Sequence, residues 1–156
     1  MNHKKSVLAI LVIGFFFSIF LCAEPWAITQ DDPELRNKFI YANNAYFNGQ
    51  LKLTVIGYSD ELKPEYNAMT YHWKDGREVM VFNSKITERC DSQQILAILL
   101  HECCHVWCDQ YDPRCLTTDG HKLDTFWEQV FRLERLGCYV WMDTISVKYR
   151  PQKRTP

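Results

Sequence analysis

Five consecutive residues, His101-Glu102-Cys103-Cys104-His105, carry side chains that zinc chemistry uses, at a spacing that a helix can exploit. Positions i and i+4 share one helix face a turn apart, so two imidazoles can grip one Zn2+ while the intervening carboxylate reaches the metal-bound water. Glu102 would accept that water's proton, and the zinc would lower the water's pKa and polarise the carbonyl under attack. With five His and nine Glu in 156 residues, about 0.009 such matches are expected by chance. The alternative is a half-buried helix whose histidines are satisfied by hydrogen bonds. Cys104 and His105 are no thiolate–imidazolium pair, because adjacent helix positions point about 100° apart.

A catalytic zinc site needs a third protein ligand and an open position. Cys108 lies on the same helix, at i+7 from His101 and so ~10 Å along the axis, too far unless the helix ends there. His121, in "TTDGH", is the better candidate, since the 15 residues between it and His105 can fold back to the metal. Glu128, further on, is the runner-up. A metzincin pattern fails, with Cys108 and Tyr111 standing where glycine and histidine are required.

Positioning these side chains calls for a small α+β domain. Asp32-Pro33 starts a helix whose apolar face is Leu35, Phe39, Ala42, Tyr46 and Phe47, stopped by Asn48-Gly49. Leu51 to Tyr58 reads as a strand, and Ala68 to Trp73 with Glu78 to Phe82 as a hairpin around Asp75-Gly76. Asp91 and Gln94 form a capping box before a helix whose stripe is Ile95, Leu96, Leu99, Cys103 and Val106, so the motif sits on a mostly buried helix. A last helix runs from about Asp124 to Leu136, with Phe126, Trp127, Val130 and Phe131 apolar and Gly137 as its stop. His72 reads as a surface residue, and Trp107, Trp127 and Trp141 as packing. The tail "YRPQKRTP" is expected to fray.

Lys4 and Lys5 followed by the apolar run Val7 to Leu21 have the form of a secretory signal, with Ala23 at a cleavage point. The expected organisation is therefore a signal peptide or membrane anchor over 1–23, one domain over 24–149 and a tail over 150–156. Everything past the run belongs outside the cytoplasm, secreted or periplasmic, or held at the membrane by residues 7–23 if cleavage fails. The chain carries a net charge of −1, and −3 without Lys4 and Lys5, which gives no footprint for nucleic acid. A monomer is expected. Six cysteines remain after Ala23, a count that suits disulfides without choosing among 15 connectivities. Cys103 is expected in the core, and Cys104 to turn away toward Cys90, Cys115 or Cys138.

The order of first helix, "YFNGQL", short strands, "MVFNSKI", the H-E-x-x-H helix, "DGH" and a final amphipathic helix resembles the SprT-like metallopeptidase family, which includes the Spartan proteases. Phe47-Asn48-Gly49-Gln50-Leu51 is similar to the family's Phe-x-Gly-x-Leu segment, and Gly120-His121 to its third-ligand position. The resemblance spans roughly Pro33 to Leu136. It implies a three-stranded sheet packed against three helices, Zn2+ held by His101, His105 and His121, Glu102 as general base, and hydrolysis of a protein or peptide substrate. Lys122 stands where the family usually has a glycine, so the start of the last helix is expected to differ. Two other functions fit the same residues. One is a disulfide-stapled zinc-binding domain without catalysis, and the other a cytosolic, DNA-associated protease tethered by its N-terminus.

Overall fold

The computed structural model describes residue 28 and residues 30–73, 75–142 and 144–151, with the side chains of 144–146 left aside. The signal or anchor expected over 1–23 lies outside the described residues. Among the described residues no helix is long and apolar enough to cross a membrane.

Helix α1 spans Pro33–Phe47, with Asp32 as N-cap accepting from Leu35 N at 2.9 Å. It ends where Asn48 turns left-handed (φ 56°) and Gly49 follows at φ 70°. The sheet has three strands, β1 (Val55–Ser59), β2 (Ala68–His72) and β3 (Glu78–Asn83), in the order β1-β3-β2. β1 runs parallel to β3, and β2 antiparallel to it. This is the small α+β domain expected. All six residues of β3 are buried because it is central and covered on both faces. Met80 and Phe82 face the main core with α1 and the helices below, while Val79 and Val81 pack with Leu62 on the other side.

The first strand is shorter than its alternation predicts, because its leading half spends its backbone groups on side chains. Asn43 takes both Leu51 N and Leu51 O, Gln110 takes both Lys52 N and Lys52 O, and Arg36 takes Leu53 O and Thr54 O. These segment groups are satisfied without a ladder.

A short helix α2 (Ser84–Thr87) leads to α3 (Ser92–Tyr111), which starts on the expected capping box of Asp91 and Gln94. Eleven of its twenty residues are buried. After Asp112, two 3-10 turns, Pro113–Leu116 and Gly120–Lys122, lead to α4 (Asp124–Arg135). Helix α5 (Thr144–Tyr149) then docks back, Tyr149 packing on the main core. Arg150, at the head of the expected tail, instead pairs with both oxygens of Glu134 at 2.7 and 2.8 Å. Residues 152–156 lie outside the described residues.

Candidate metal centre

Each histidine reaches the centre from a different kind of support. His101 and His105 are one turn apart in the buried middle of α3, and His121 comes from the 3-10 turn before α4. Their Nε2 atoms form a triangle with sides of 3.2, 3.1 and 3.2 Å. Tetrahedral ligands at Zn–N distances of 2.0–2.1 Å stand about 3.3 Å apart, so the triangle has the size of a metal-ligand face. Among the described residues, these three are the only such group able to hold a metal ion.

The far sides of the rings fix which nitrogen is free. His101 Nδ1 donates to Trp141 O at 2.8 Å, and His121 Nδ1 to Asp119 Oδ1 at 2.8 Å. With the proton held at Nδ1, each Nε2 carries a lone pair aimed inward. His105 is held neutral, its pKa pushed well below the usual imidazole range by burial first and by His101 and His121 next. Three imidazole nitrogens converging on one point are a donor set that fits a divalent transition metal.

The floor and back wall are tight. Phe126, fully buried, lies with its ring centre 5.3, 4.6 and 4.9 Å from those of His101, His105 and His121. Behind His105, a Cβ at Gly120 would stand 2.9 Å from Nδ1, so only glycine lets the loop close against the ring. Asp119 holds the turn by accepting from His121 N at 3.0 Å, and Trp127 Nε1 donates to His121 O at 2.7 Å. Trp127 is thus the packing residue expected, and it also pins the loop. With Lys122 after His121, helix α4 opens at Asp124 on Leu123, a cap without a side-chain hydrogen bond.

Glu102 is 4% exposed and borders the same groove. Thr70 Oγ1, on β2, donates to Glu102 Oε2 at 2.8 Å. The groove has a volume of about 860 Å³ and runs between β2 on one side and the loop of Cys115 to His121 on the other. Sequence reasoning did not single out Thr70 or Asp109; it read His72 as a surface residue, and His72 is exposed. All three line the groove. The signal for Asp109 was its place at i+4 from His105; those for Thr70 and His72 required the strand register.

The competing ligands go elsewhere. Cys108 is sealed in the core, and Glu128 is outside both the histidine cluster and the groove lining. All six described cysteines are free thiols. Cys103 is in the core as expected, but Cys104, expected to turn outward to a partner, is also fully buried, its Sγ donating to Leu100 O at 3.3 Å. Burial drives the Cys104 thiol far above its ordinary range, so it offers no thiolate.

Fold and centre together define a small α+β domain built around a three-histidine cluster that could hold a metal ion. The chain belongs to the SprT-like family, whose model matches residues 35–135. No curated protein and no solved structure matched it.

Proposed function

We propose that the protein is a zinc-dependent endopeptidase, with His101, His105 and His121 as the metal ligands and Glu102 as general base. The observation carrying this reading is the placement of a buried carboxylate, steadied by Thr70, between two converging histidines at the edge of an open groove. Zinc bound by the three nitrogens would supply Lewis acidity and bring a water's pKa toward neutrality. Glu102 takes the proton from the attacking water and returns it to the leaving amine. Thr70 fixes Glu102 Oε2 by its hydrogen bond.

The groove also suits an extended peptide. Among the described residues β2 is an edge strand, paired with β3 alone, and its residues from Ala68 to His72 form one wall. An extended segment laid along that edge gains main-chain hydrogen bonds whatever its sequence. We place this chemistry in a single domain over 24–149, acting as a monomer outside the cytoplasm, with no nucleic-acid partner. A mature N-terminus found at Glu24 would support export, and an intact Met1 would favour the tethered form.

Glu102→Gln tests the catalytic assignment. Metal content is expected to match the unsubstituted protein, at one zinc per chain, while peptide cleavage falls by a factor of about 10²–10⁴. A Glu102→Gln protein that still cleaves normally would overturn the assignment. Zinc binding without cleavage by either form would leave a non-catalytic binding domain.

A further inference from the structure

Beyond the histidines, a second group of titratable side chains closes one end of the groove. His72 on β2 and Asp109 on α3 both line it, and Glu78 on β3 is the cross-strand neighbour of His72. Glu78 Oε1 accepts from His72 Nδ1 at 2.5 Å, while Glu78 Oε2 is sealed from solvent with no hydrogen-bond partner. The Glu78 residue is only 4% exposed, and its burial raises the carboxyl against the pull of His72. Asp109 makes no hydrogen bond or ion pair among the described residues. Burial first, and the charge of Glu78 next, push its carboxyl up to about 7, with His72 pulling the other way.

Two desolvated carboxylates share one imidazole here, which leaves the cluster short of positive charge. Among the described residues the groove is lined by Glu102, Asp109 and Asp119, and by no lysine or arginine. A second metal ion does not fit, because only the three histidines bring ligand atoms within 4.8 Å of one another. The missing cation is one that a ligand would carry in.

Its place follows from two independent rulers. Asp109 lies seven residues past Glu102 on α3, about 10 Å along the axis. His72 lies two residues past Thr70 on β2, about 7 Å along the strand, and Thr70 touches Glu102. Together they put this end about two to three residues of extended peptide away from the general base. Resting on the peptidase reading, we propose that this end of the groove is a subsite for a lysine or arginine side chain of the substrate, held by the groove-lining Asp109, with the buried Glu78 charge behind His72 adding to the pull. A guanidinium fork can take both oxygens of a carboxylate such as Asp109.

The test reads binding apart from turnover. The full chain carrying Glu102→Gln, loaded with zinc, is titrated with short fluorescein-labelled peptides in which a single arginine is walked along an uncharged sequence, each with a norleucine twin. At one position the arginine peptide is expected to bind about tenfold or more tightly than its twin. Adding Asp109→Asn should bring that ratio below about threefold, with zinc content and thermal melting confirming an intact fold. Glu78→Gln, in the core and outside the groove lining, should lower the ratio less, so the groove-lining Asp109 variant decides. Equal binding of every pair, or a preference untouched by Asp109→Asn, would overturn the subsite. The unsubstituted chain then separates the two readings. Selective binding without cleavage of any peptide leaves the subsite and removes the peptidase, whereas cleavage indifferent to arginine removes the subsite and leaves the peptidase.

Discussion

Of the three elements that line the groove, β2, α3 and the loop after α3, the last two are built on different physical terms. The wall formed by α3 is held by burial: Leu99, Cys103 and Val106 are fully enclosed, and the helix starts on a reciprocal cap. The wall formed by residues 112–123 has little apolar content and hangs on a few polar bonds. Asp112 caps one 3-10 turn and accepts from Thr125 Oγ1, Asp119 caps the next, and Trp127 fastens the backbone of His121. The difference teaches that two of the three histidines come with the fold, while the third is placed by local hydrogen bonds. Damage to one wall should therefore be read in global stability, and damage to the other in metal affinity.

The largest effect is expected where the loop wall meets the centre. His121→Ala removes one of three converging nitrogens, and zinc should fall from about one per chain to little or none after dialysis, with the melting temperature of the metal-free protein nearly unchanged. A folded His121→Ala protein that holds zinc as tightly as before would show that the third ligand is another residue. On the helix wall, Leu99→Ala empties a site with no exposure and should cost about 2–5 kcal/mol in denaturant unfolding of the metal-free protein. Its folded fraction should still take up zinc.

Asp119→Ala sharpens the contrast further. Among the described residues the Asp119 side chain hydrogen-bonds to His121 alone, accepting from its N and Nδ1. Its loss should weaken zinc binding by about 10–100-fold, as removal of a group that orients a ligand does. Metal-free stability should change by less than about 1 kcal/mol. If instead the metal-free protein unfolds more easily by several kcal/mol, the loop wall is part of the folding core and the contrast fails.

The same division explains what was legible in the sequence. α3 was readable end to end because its cap, stripe and motif are all local patterns, and the fold forced nothing against them. His121 was readable as a candidate because Asp119-Gly120 marks a turn at a workable loop length. Other features depend on pairings distant in the chain. The leading half of the first strand was lost to Asn43, Arg36 and Gln110, residues 8 to 58 positions away. The parallel pairing of β1 with β3, and with it the edge position of β2, is likewise set by a crossover that no local pattern announces. His72, Glu78 and Asp109 meet through strand register and helix packing together. Each alone looks like an ordinary polar residue.

Asp109 shows that even the helix wall is not settled along its whole length, and pH gives the smallest but most specific test. Its carboxyl is raised from 3.8 to about 7 in the folded chain, so between those values the folded state keeps a proton that the unfolded state has released. Stability from this group is therefore greatest below about pH 4 and is lost as pH rises toward 7. Asp112 acts oppositely, its carboxyl held low by Arg114 and Thr125, so the sum over the protein can slope either way. The difference between the unsubstituted chain and Asp109→Asn isolates the one group. With partial solvent access reducing the effect, Asp109→Asn should gain about 1 kcal/mol relative to the unsubstituted protein between pH 5 and pH 8 in urea unfolding. Parallel curves would mean that the folded protein already ionises Asp109 at ordinary pH, and that the end of the helix wall is as well satisfied as its middle.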